Sequence, residues 1–350
     1  MKFQNLKRLK TQECDGNNGD FLQTKDIVAA FENLLPVVHR TPLNESATFN
    51  EMAGTRLYFK MENLQRTGSF KIRGALNKIT NLAGDARKNG VIAASAGNHA
   101  QGVAFSATKQ GLKAKIYMPE KTPLAKVLAT KAYGAEVVLT GESFQEAYEA
   151  AVLDQQITGA TFIHPFDDYE VMAGQGTIAL EMIQQCADLD TVVIPVGGGG
   201  LIAGMACLLK NYDPKIRVIG VQSEGAPAVY NRFKGMGNSR LEHVSGIADG
   251  ILVKETGQLT FPLISKYVDD VVTVSDEDIA IAIIYMLERE KMFVEGAGAA
   301  AFAAVLSGKV GVSGKHIGIV VSGGNADLDK ISHFKRLAAA GKKKHRVVSL

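Results

Sequence analysis

The chain has 350 residues, of which 46% are hydrophobic and 21% are charged. This composition is typical of a globular protein large enough for about two domains. The 39 Lys and Arg residues against 36 Asp and Glu give a formal net charge of only +3. No strong positive field therefore favours nucleic acid, and no run of about 18 apolar residues is present that would span a membrane.

The cysteines and the first twenty residues indicate the cellular compartment of the protein. The first twenty residues lack the apolar segment of a secretory signal peptide. The three cysteines, Cys14, Cys186 and Cys207, form no CxxC pair and cannot all be bridged. We expect reduced thiols, a cytoplasmic protein and a polar, mobile leader from Glu13 to Asp20. The seven histidines lack metal-ligand spacing, so no zinc site is expected.

From "TKDIVAAFENLL" onward, short apolar runs alternate with longer helical patterns. Short apolar strands separated by helices are typical of parallel sheets that are covered on both faces. The pattern therefore predicts an α/β protein. The predicted strands span 90–95, 113–119, 135–140, 191–196, 216–222 and 316–322, and the helical patterns between the strands include 143–156 and 276–291.

Three predicted strands end in the same way. "AAS" continues into "AGNHAQG", "IPV" into "GGGGLIAG" and "VVS" into "GGNADL". In each case we expect the strand to stop, small residues to allow a tight turn, and a helix to begin. Helix N-termini carry free N–H groups and a partial positive charge, and ligands bind beyond the carboxyl ends of strands in such sheets. The three turns together predict a compound anionic ligand.

The tetraglycine loop Gly197–Gly200 has two functional interpretations. "GGGGLIA" contains the G-x-G-x-x-A spacing of a dinucleotide site, and Glu224 follows the next strand where a ribose-binding acid would lie. This favours an NAD-dependent dehydrogenase. Alternatively, the glycine N–H groups surround one phosphate monoester, with a helix behind them. A loop kept small only for packing is a third interpretation.

The lysine in "GSFKIRGA" follows a Gly-Ser-Phe turn and begins a helical pattern. A phosphorylated aldehyde cofactor needs an amine for a Schiff base, a phosphate site, and partners for its ring oxygen and ring nitrogen. Lys71, the tetraglycine loop, Asn98 and Ser322 supply these groups in turn. A dehydrogenase has no evident use for "SAGNHAQG" or for this lysine. Spacing alone does not prefer Lys71 to Lys60 or Lys78.

Five motifs in order, "TGSFKIRGA", "SAGNHAQGVA", "AGQGTIALE", "VGGGGLIAG" and "SGGN", resemble the threonine/serine dehydratases among the fold type II pyridoxal-phosphate (PLP) enzymes. The similarity runs from about Ile27 to Leu337. It implies a tryptophan synthase β-like fold with two α/β domains and a homodimer or homotetramer. The implied division is a large PLP-binding domain at 1–66 and 167–340, a small domain at 67–166, and a basic tail at 341–350.

The resemblance also implies roles for individual residues. Lys71 would form the Schiff base with PLP, and later act as general base. Phe70 would pack against the cofactor ring, Asn98 would hydrogen-bond its 3′-oxygen, and Ser322 would face the pyridine nitrogen. A hydroxyl at that position leaves the nitrogen largely unprotonated, which favours elimination. The implied PLP contacts are Phe70, Lys71, Asn98, Gly197, Gly198, Gly199, Gly200, Leu201 and Ser322, and the implied contacts of the substrate carboxylate are Ser95, Ala96, Gly97, Asn98 and His99.

The implied reaction converts L-threonine to 2-oxobutanoate and ammonia, with L-serine giving pyruvate. Within the dehydratases, "VEGAGAAA" resembles the catabolic branch more than the biosynthetic branch. Biosynthetic members usually carry a C-terminal domain that binds isoleucine. The 350-residue chain ends soon after Asn325, and an independent domain needs about 50 residues. We therefore expect no isoleucine-binding domain here.

A few positions distinguish the dehydratases from the related serine racemases. Serine racemases place a second serine in the substrate turn, where this chain has Ala96, so elimination without racemisation is expected. Racemases also bind a divalent cation through a Glu and an Asp. Glu224 matches the first, but Tyr230 stands in place of the second, and no metal is predicted. His99 is expected to orient its turn. Glu295 is either an orienting acid or an ordinary charge at a helix N-terminus.

Catabolic relatives are activated by AMP at a subunit interface beside the lysine motif. A similar site is a hypothesis here, because Ala132 stands where those relatives have a polar contact. A surface ion pair is an alternative role for the arginine in "QRTGSFK", and it is as well supported as a contact to AMP. The candidate AMP contacts are Arg66, Thr67, Gln101, Tyr133 and Asn325.

Overall fold

The computed structural model describes residues 21–311 and 316–345. The chain forms two mainly parallel β-sheets covered by helices, which confirms the predicted α/β class. The leader at 13–20 with Cys14, and the end of the basic tail beyond residue 345, lie outside the described residues. Within the described ranges, no helix has the length and apolar character needed to cross a bilayer.

The larger sheet has six strands in the order β1-β2-β10-β7-β8-β9. Only the edge pair β1–β2 is antiparallel, and the remaining pairs are parallel. Neighbouring residues of its central strands enter different cores, with Val192 and Ile194 in one and Val193 in the other. Both faces are therefore buried, as the continuous apolar runs predict. The strands are β1 (Leu43–Glu45), β2 (Arg56–Met61), β7 (Thr191–Pro195), β8 (Arg217–Ser223), β9 (Asp270–Val274) and β10 (His316–Val321).

The smaller sheet has four parallel strands in the order β5-β4-β3-β6. All four lie between residues 91 and 162. This range falls inside the segment 67–166 expected to form the small domain, and we propose the division at those boundaries. The strands are β3 (Val91–Ala94), β4 (Ala114–Met118), β5 (Glu136–Leu139) and β6 (Thr161–Phe162).

Helix ends follow local sequence signals. The helix at 144–158 begins with a capping box between Ser143 and Glu146 and ends at Gly159, whose φ is 68°. The last helix continues to His345, so the first half of the predicted tail is helical. The helices are α1 (Thr24–Leu34), α2 (Ala47–Ala53), α3 (Lys71–Thr80), α4 (Gly84–Asn89), α5 (Asn98–Lys109), α6 (Leu124–Ala132), α7 (Phe144–Thr158), α8 (Tyr169–Gln185), α9 (Gly200–Tyr212), α10 (Ala228–Phe233), α11 (Thr260–Tyr267), α12 (Asp276–Tyr285), α13 (Gly296–Leu306) and α14 (Ile331–His345).

The predicted strands are all present, with no end shifted by more than one residue. Four further strands, β1, β2, β6 and β9, were not predicted from the sequence pattern. The pattern at 276–291 predicts a single helix, whereas α12 changes into a π-helical turn at Met286–Glu290. Lys291 then adopts a φ of 59° and ends the segment.

One of the three expected strand–turn–helix units is wrong. After β10 the chain does not enter a helix at "GGNADL"; α14 begins only at Ile331. Instead Gly323 forms a bridge with Ser69, and the Gly324 amide donates to the Gly68 carbonyl at 2.9 Å. Pairing with the lysine turn keeps this stretch non-helical.

Helix α8 lies against both α3 and α9 in very close backbone contact. A Cβ built on Gly174 of α8 would stand 2.4 Å from the Arg73 carbonyl oxygen of α3. A Cβ built on Gly204 of α9 would stand 2.1 Å from the Met172 carbonyl oxygen of α8. Neither position tolerates a side chain at this separation, which explains Gly174 in "AGQG" and Gly204 in "LIAG". The crossing fixes the helix that carries Lys71 relative to the helix that follows the tetraglycine loop.

Candidate active site

Lys71 is the first residue of α3 and is half-buried. Its Nζ donates to the Pro165 carbonyl at 2.9 Å and lies 5.2 Å from the centre of the Phe70 ring. Removal from solvent lowers the pKa of the amine to about 8, against the opposing effect of the nearby Glu295 carboxylate. About a tenth of such an amine is neutral at pH 7, far more than for an ordinary lysine.

The structure distinguishes Lys71 from the two lysines that spacing left open. Lys60 Nζ lies 2.5 Å from the Glu181 carboxylate in the core. Lys78 Nζ lies 3.0 Å from the Asp168 carboxylate. Lys71 has no carboxylate at ion-pair distance within residues 21–311 and 316–345, so its amine is available for chemistry.

The lysine turn is attached to the end of β10. The Phe70 amide donates to the Ser322 carbonyl at 3.1 Å, next to the bridge between Ser69 and Gly323. The Ser322 side chain is buried, and its hydroxyl lies 3.3 Å from the Ala297 carbonyl. These contacts bring Phe70 and Ser322 together beside Lys71.

The turn between β3 and α5 presents free backbone N–H groups. Ser95 Oγ accepts from the Gly97 amide at 3.2 Å, which shapes the turn. The amides of Ala96, Asn98 and His99 have no acceptor in the described part of the chain. Because they lie at the N-terminus of α5, they suit a carboxylate.

His99 is buried beneath this turn, and its Nε2 lies 2.8 Å from the Ile163 carbonyl oxygen. Burial and, to a smaller extent, the neighbouring Lys71 together lower its pKa to about 3. The ring is therefore neutral, with its Nε2–H donated to that carbonyl. This geometry supports the orienting role predicted for His99.

Glu295 faces Asn98 across the site. Its Oε1 accepts from Asn98 Nδ2 at 2.7 Å, while Asn98 Oδ1 accepts from Asn325 Nδ2 at 2.8 Å. Although Glu295 stands at the N-cap of α13, its side chain makes no capping hydrogen bond. Burial raises its pKa to about 7. Of the two roles left open by the sequence, the contacts favour the orienting acid.

The tetraglycine loop joins β7 to α9. Gly199 has a φ of 101°, which a residue with a side chain rarely adopts. The backbone amides of residues 197–201 have no acceptor among the described residues. Five free donors at a helix N-terminus match the oxygens of a phosphate monoester, so the loop fits a phosphorylated cofactor.

Sequence analysis did not single out "HPFDD", the segment after β6. A Cβ built on Gly198 would stand 2.4 Å from the Phe166 ring, so this ring packs directly on the loop. Thr260 Oγ1 donates to the Gly198 carbonyl at 2.8 Å. The two residues of β6 are too few to give a strand pattern, and the aspartates resemble an ordinary helix cap, so no local signal marked this segment.

Four of the five candidate AMP contacts lie together. Tyr133 Oη lies 3.4 Å from the Arg66 carbonyl oxygen, and Asn325 Nδ2 lies 2.8 Å from that of Thr67. Thr67 Oγ1 is buried without a hydrogen-bond partner in the described ranges. The Arg66 side chain donates to a main-chain carbonyl rather than forming the alternative surface ion pair. Gln101 lies on the first turns of α5.

Glu224 stands away from these groups. It follows β8 and forms an ion pair with Lys309 at 3.0 Å. Tyr230 lies on α10. Within the described residues, no group of three or more His, Cys, Asp or Glu side chains has a metal-binding arrangement.

Comparison with known proteins identifies the class. A family model described as pyridoxal-phosphate dependent enzyme matches residues 34–323. The L-threonine ammonia-lyase of Thermotoga maritima is 50% identical over 91% of this chain and 80% of its own length. The catabolic L-threonine dehydratase TdcB of Escherichia coli (strain K12) is 43% identical over 88% of this chain and 94% of its own. The chain therefore belongs to the PLP-dependent enzyme family.

Solved structures support the same assignment. A crystal structure of a T.th. threonine deaminase is 41% identical with a TM-score of 0.82, covering 87% of this chain and 98% of that one. Maize serine racemase is 36% identical with a TM-score of 0.84, covering 89% and 98%. The fold type II assignment is confirmed, and PLP is the cofactor. The dehydrogenase interpretation of the tetraglycine loop is wrong.

Proposed function

We propose that this protein is an L-threonine ammonia-lyase. It removes water from L-threonine, and the released enamine hydrolyses to 2-oxobutanoate and ammonia; L-serine gives pyruvate in the same way. The observation that carries the proposal is the half-buried Lys71 amine, whose pKa is about 8 and whose Nζ donates to the Pro165 carbonyl at 2.9 Å, next to the Phe166 ring that packs on the tetraglycine loop. The two L-threonine-converting relatives support the choice of substrate.

When bound, PLP supplies an aldehyde carbon and an electron-withdrawing ring. Lys71 would contribute the neutral amine that holds the cofactor and would serve as the general base for the α-proton of the substrate. Its contact with the Pro165 carbonyl holds Nζ in place. The amides of residues 197–201 would hold the phosphate, and Phe70 would pack on the ring.

The substrate carboxylate would dock on the free amides of Ala96, Asn98 and His99. Bound in this way, the α-carbon would present one face to the Lys71 amine. Ala96 offers no proton on the opposite face. Ser322, with a single hydroxyl proton and no charge, would leave the ring nitrogen largely unprotonated. Both features favour elimination of the β-hydroxyl over racemisation.

Threonine and serine differ by one methyl group, which is worth about 1–3 kcal/mol in a pocket. We therefore propose both as substrates. We also propose a cytoplasmic homodimer or homotetramer with AMP as effector. The described cysteines, Cys186 and Cys207, form no disulfide, which supports the location. The grouping of Arg66, Thr67 and Tyr133 supports the nucleotide site.

The direct test replaces Lys71 with alanine. Lys71→Ala should abolish both the visible absorption band of lysine-bound PLP and the formation of 2-oxo acid from threonine. Lys78→Ala, on the same helix but ion-paired with Asp168, is the matched control and should keep both. Borohydride-reducible PLP on another lysine in Lys71→Ala would show that the assignment is wrong.

A further inference from the structure

The carboxylate of Asp167 binds a remote part of the chain. Its Oδ1 accepts from the Leu259 and Thr260 amides at 2.8 and 3.1 Å, and its Oδ2 accepts from the Gln258 amide at 2.9 Å. These amides lie at the start of α11, so Asp167 caps that helix from more than ninety residues away. A Cβ built on Gly257 would stand 2.2 Å from Oδ1, so the carboxylate also lies directly on the preceding turn.

The capped segment holds the tetraglycine loop through one carbonyl. Thr260 Oγ1 and the Gly257 amide both donate to the Gly198 carbonyl oxygen, at 2.8 and 3.2 Å. In a planar trans peptide, the N–H of the following residue points opposite to the C=O. Anchoring the Gly198 carbonyl therefore directs the Gly199 N–H away from Thr260, toward the side where the described chain provides no acceptor.

The stretch 165–167 contacts the rest of the site as well. The Pro165 carbonyl accepts from Lys71 Nζ at 2.9 Å. The Phe166 ring packs against Gly198. The Asp167 amide donates to His164 Nδ1 at 2.7 Å, which fixes the stretch itself. Pro165, Phe166 and Asp167 therefore contact, in order, Lys71, Gly198 of the tetraglycine loop, and the start of α11, which holds the Gly198 carbonyl.

From these contacts we propose that Asp167 is a positioning residue for the phosphate of PLP. It fixes residues 257–260, these fix the Gly198 carbonyl, and the Gly199 amide is thereby aimed at a phosphate oxygen. Asp167 itself touches neither cofactor nor substrate. The inference rests on the proposed placement of the phosphate at the tetraglycine loop.

The test compares PLP with pyridoxal, which lacks the phosphate. Holoenzyme is dialysed against a series of concentrations of either compound, and the bound fraction is read from the visible absorbance. Asp167→Ala should weaken PLP binding by about tenfold or more. The substitution removes the three hydrogen bonds that fix residues 258–260, and these residues in turn hold the Gly198 carbonyl. Pyridoxal binding should stay within about twofold of wild type, because the affected amide faces the phosphate only.

Asp168→Ala is the matched control. Asp168 caps the neighbouring helix α8 through the Glu170 and Val171 amides, whereas the amides of residues 258–260 donate to Asp167. Its loss should lower the melting temperature while PLP binding stays near that of wild type. Thr260→Val, which removes only the hydroxyl that holds Gly198, should reproduce the selective loss of PLP binding even where Asp167→Ala folds poorly.

Two outcomes would overturn the proposal. One is wild-type affinity for PLP in Thr260→Val or in folded Asp167→Ala. The other is an equal loss for PLP and pyridoxal, which would mean general damage to the site. A wild-type protein that binds no PLP, or that binds it without making 2-oxo acid from threonine, contradicts the proposed function instead.

Discussion

At the scale of single residues, burial lowers the pKa of Lys71 and the Glu295 carboxylate opposes that effect. This carboxylate, with a pKa of about 7, is ionised near pH 8 and favours the protonated amine of Lys71, whose pKa is about 8. Only the neutral amine attaches PLP, so the rate of attachment should rise with pH through about 8 and then level off.

Glu295→Gln removes the negative charge, so the pKa of Lys71 falls and the midpoint of that profile should move to lower pH by about half a unit or more. The measurement is the rate at which cofactor-stripped protein takes up borohydride-trappable PLP between about pH 6 and 10. Glu288→Gln, at an exposed position, should leave the profile unchanged. A shift to higher pH in Glu295→Gln would contradict the argument.

We propose that Ala96 limits the enzyme to elimination. Ala96→Ser would add a hydroxyl to the substrate turn, and we expect it to return a proton to the face of the α-carbon opposite Lys71. D-serine formation from L-serine should rise by about tenfold or more, as expected for a positioned proton donor. Chiral chromatography of the reaction gives the measurement, with Ala96→Gly as the control. Fast racemisation by the wild type would show that another group already serves as the second acid.

At the scale of elements, α3 is fixed to the larger sheet by a buried charge cluster. Arg73, two residues after Lys71, lies 2.8 Å from both the Glu62 and Glu181 carboxylates, and Lys60 also contacts Glu181. All four side chains are almost fully buried. Two positive and two negative charges balance, so the cluster connects α3, α8 and the end of β2 without net charge.

Arg73→Met would leave two buried carboxylates against one lysine. Removing one partner of a buried pair costs about 3–5 kcal/mol of unfolding free energy, and urea denaturation followed by circular dichroism should show that loss. Arg73→Lys keeps the charge but not the paired geometry of the guanidinium, so its loss should be smaller. Equal stability of Arg73→Met and wild type would mean that the cluster does not hold the helix.

At the scale of the whole molecule, the proposed AMP site joins segments from three parts of the chain. AMP should raise the initial rate at low threonine and shift the protein to its larger assembly, because a ligand that prefers one state increases its population. Arg66→Met should lose this response and keep the basal rate. Rates with and without AMP, with light scattering for mass, provide the test. An unchanged rate and mass would remove the nucleotide site and leave the ammonia-lyase proposal intact.

The sequence by itself determined the α/β class, the positions of the long apolar strands and the two turns that precede α5 and α9. These follow from local physics, because hydrophobic periodicity, small residues and helix starts are properties of neighbouring residues. Spacing did not separate Lys71 from Lys60 and Lys78, since the difference lies in distant ion pairs. The motif resemblance made that choice.

Tertiary structure alone decided what each of these groups touches. Ser322 reaches Phe70 because the stretch after β10 pairs with the lysine turn, which also prevents the helix that its glycines suggested. Asp167 reaches the tetraglycine loop only through residues 257–260, a link with no local signature. Backbone atoms make most of these contacts. Because almost every residue type carries the same N–H and C=O groups, the fold decides which of them meet, and residue identity does not.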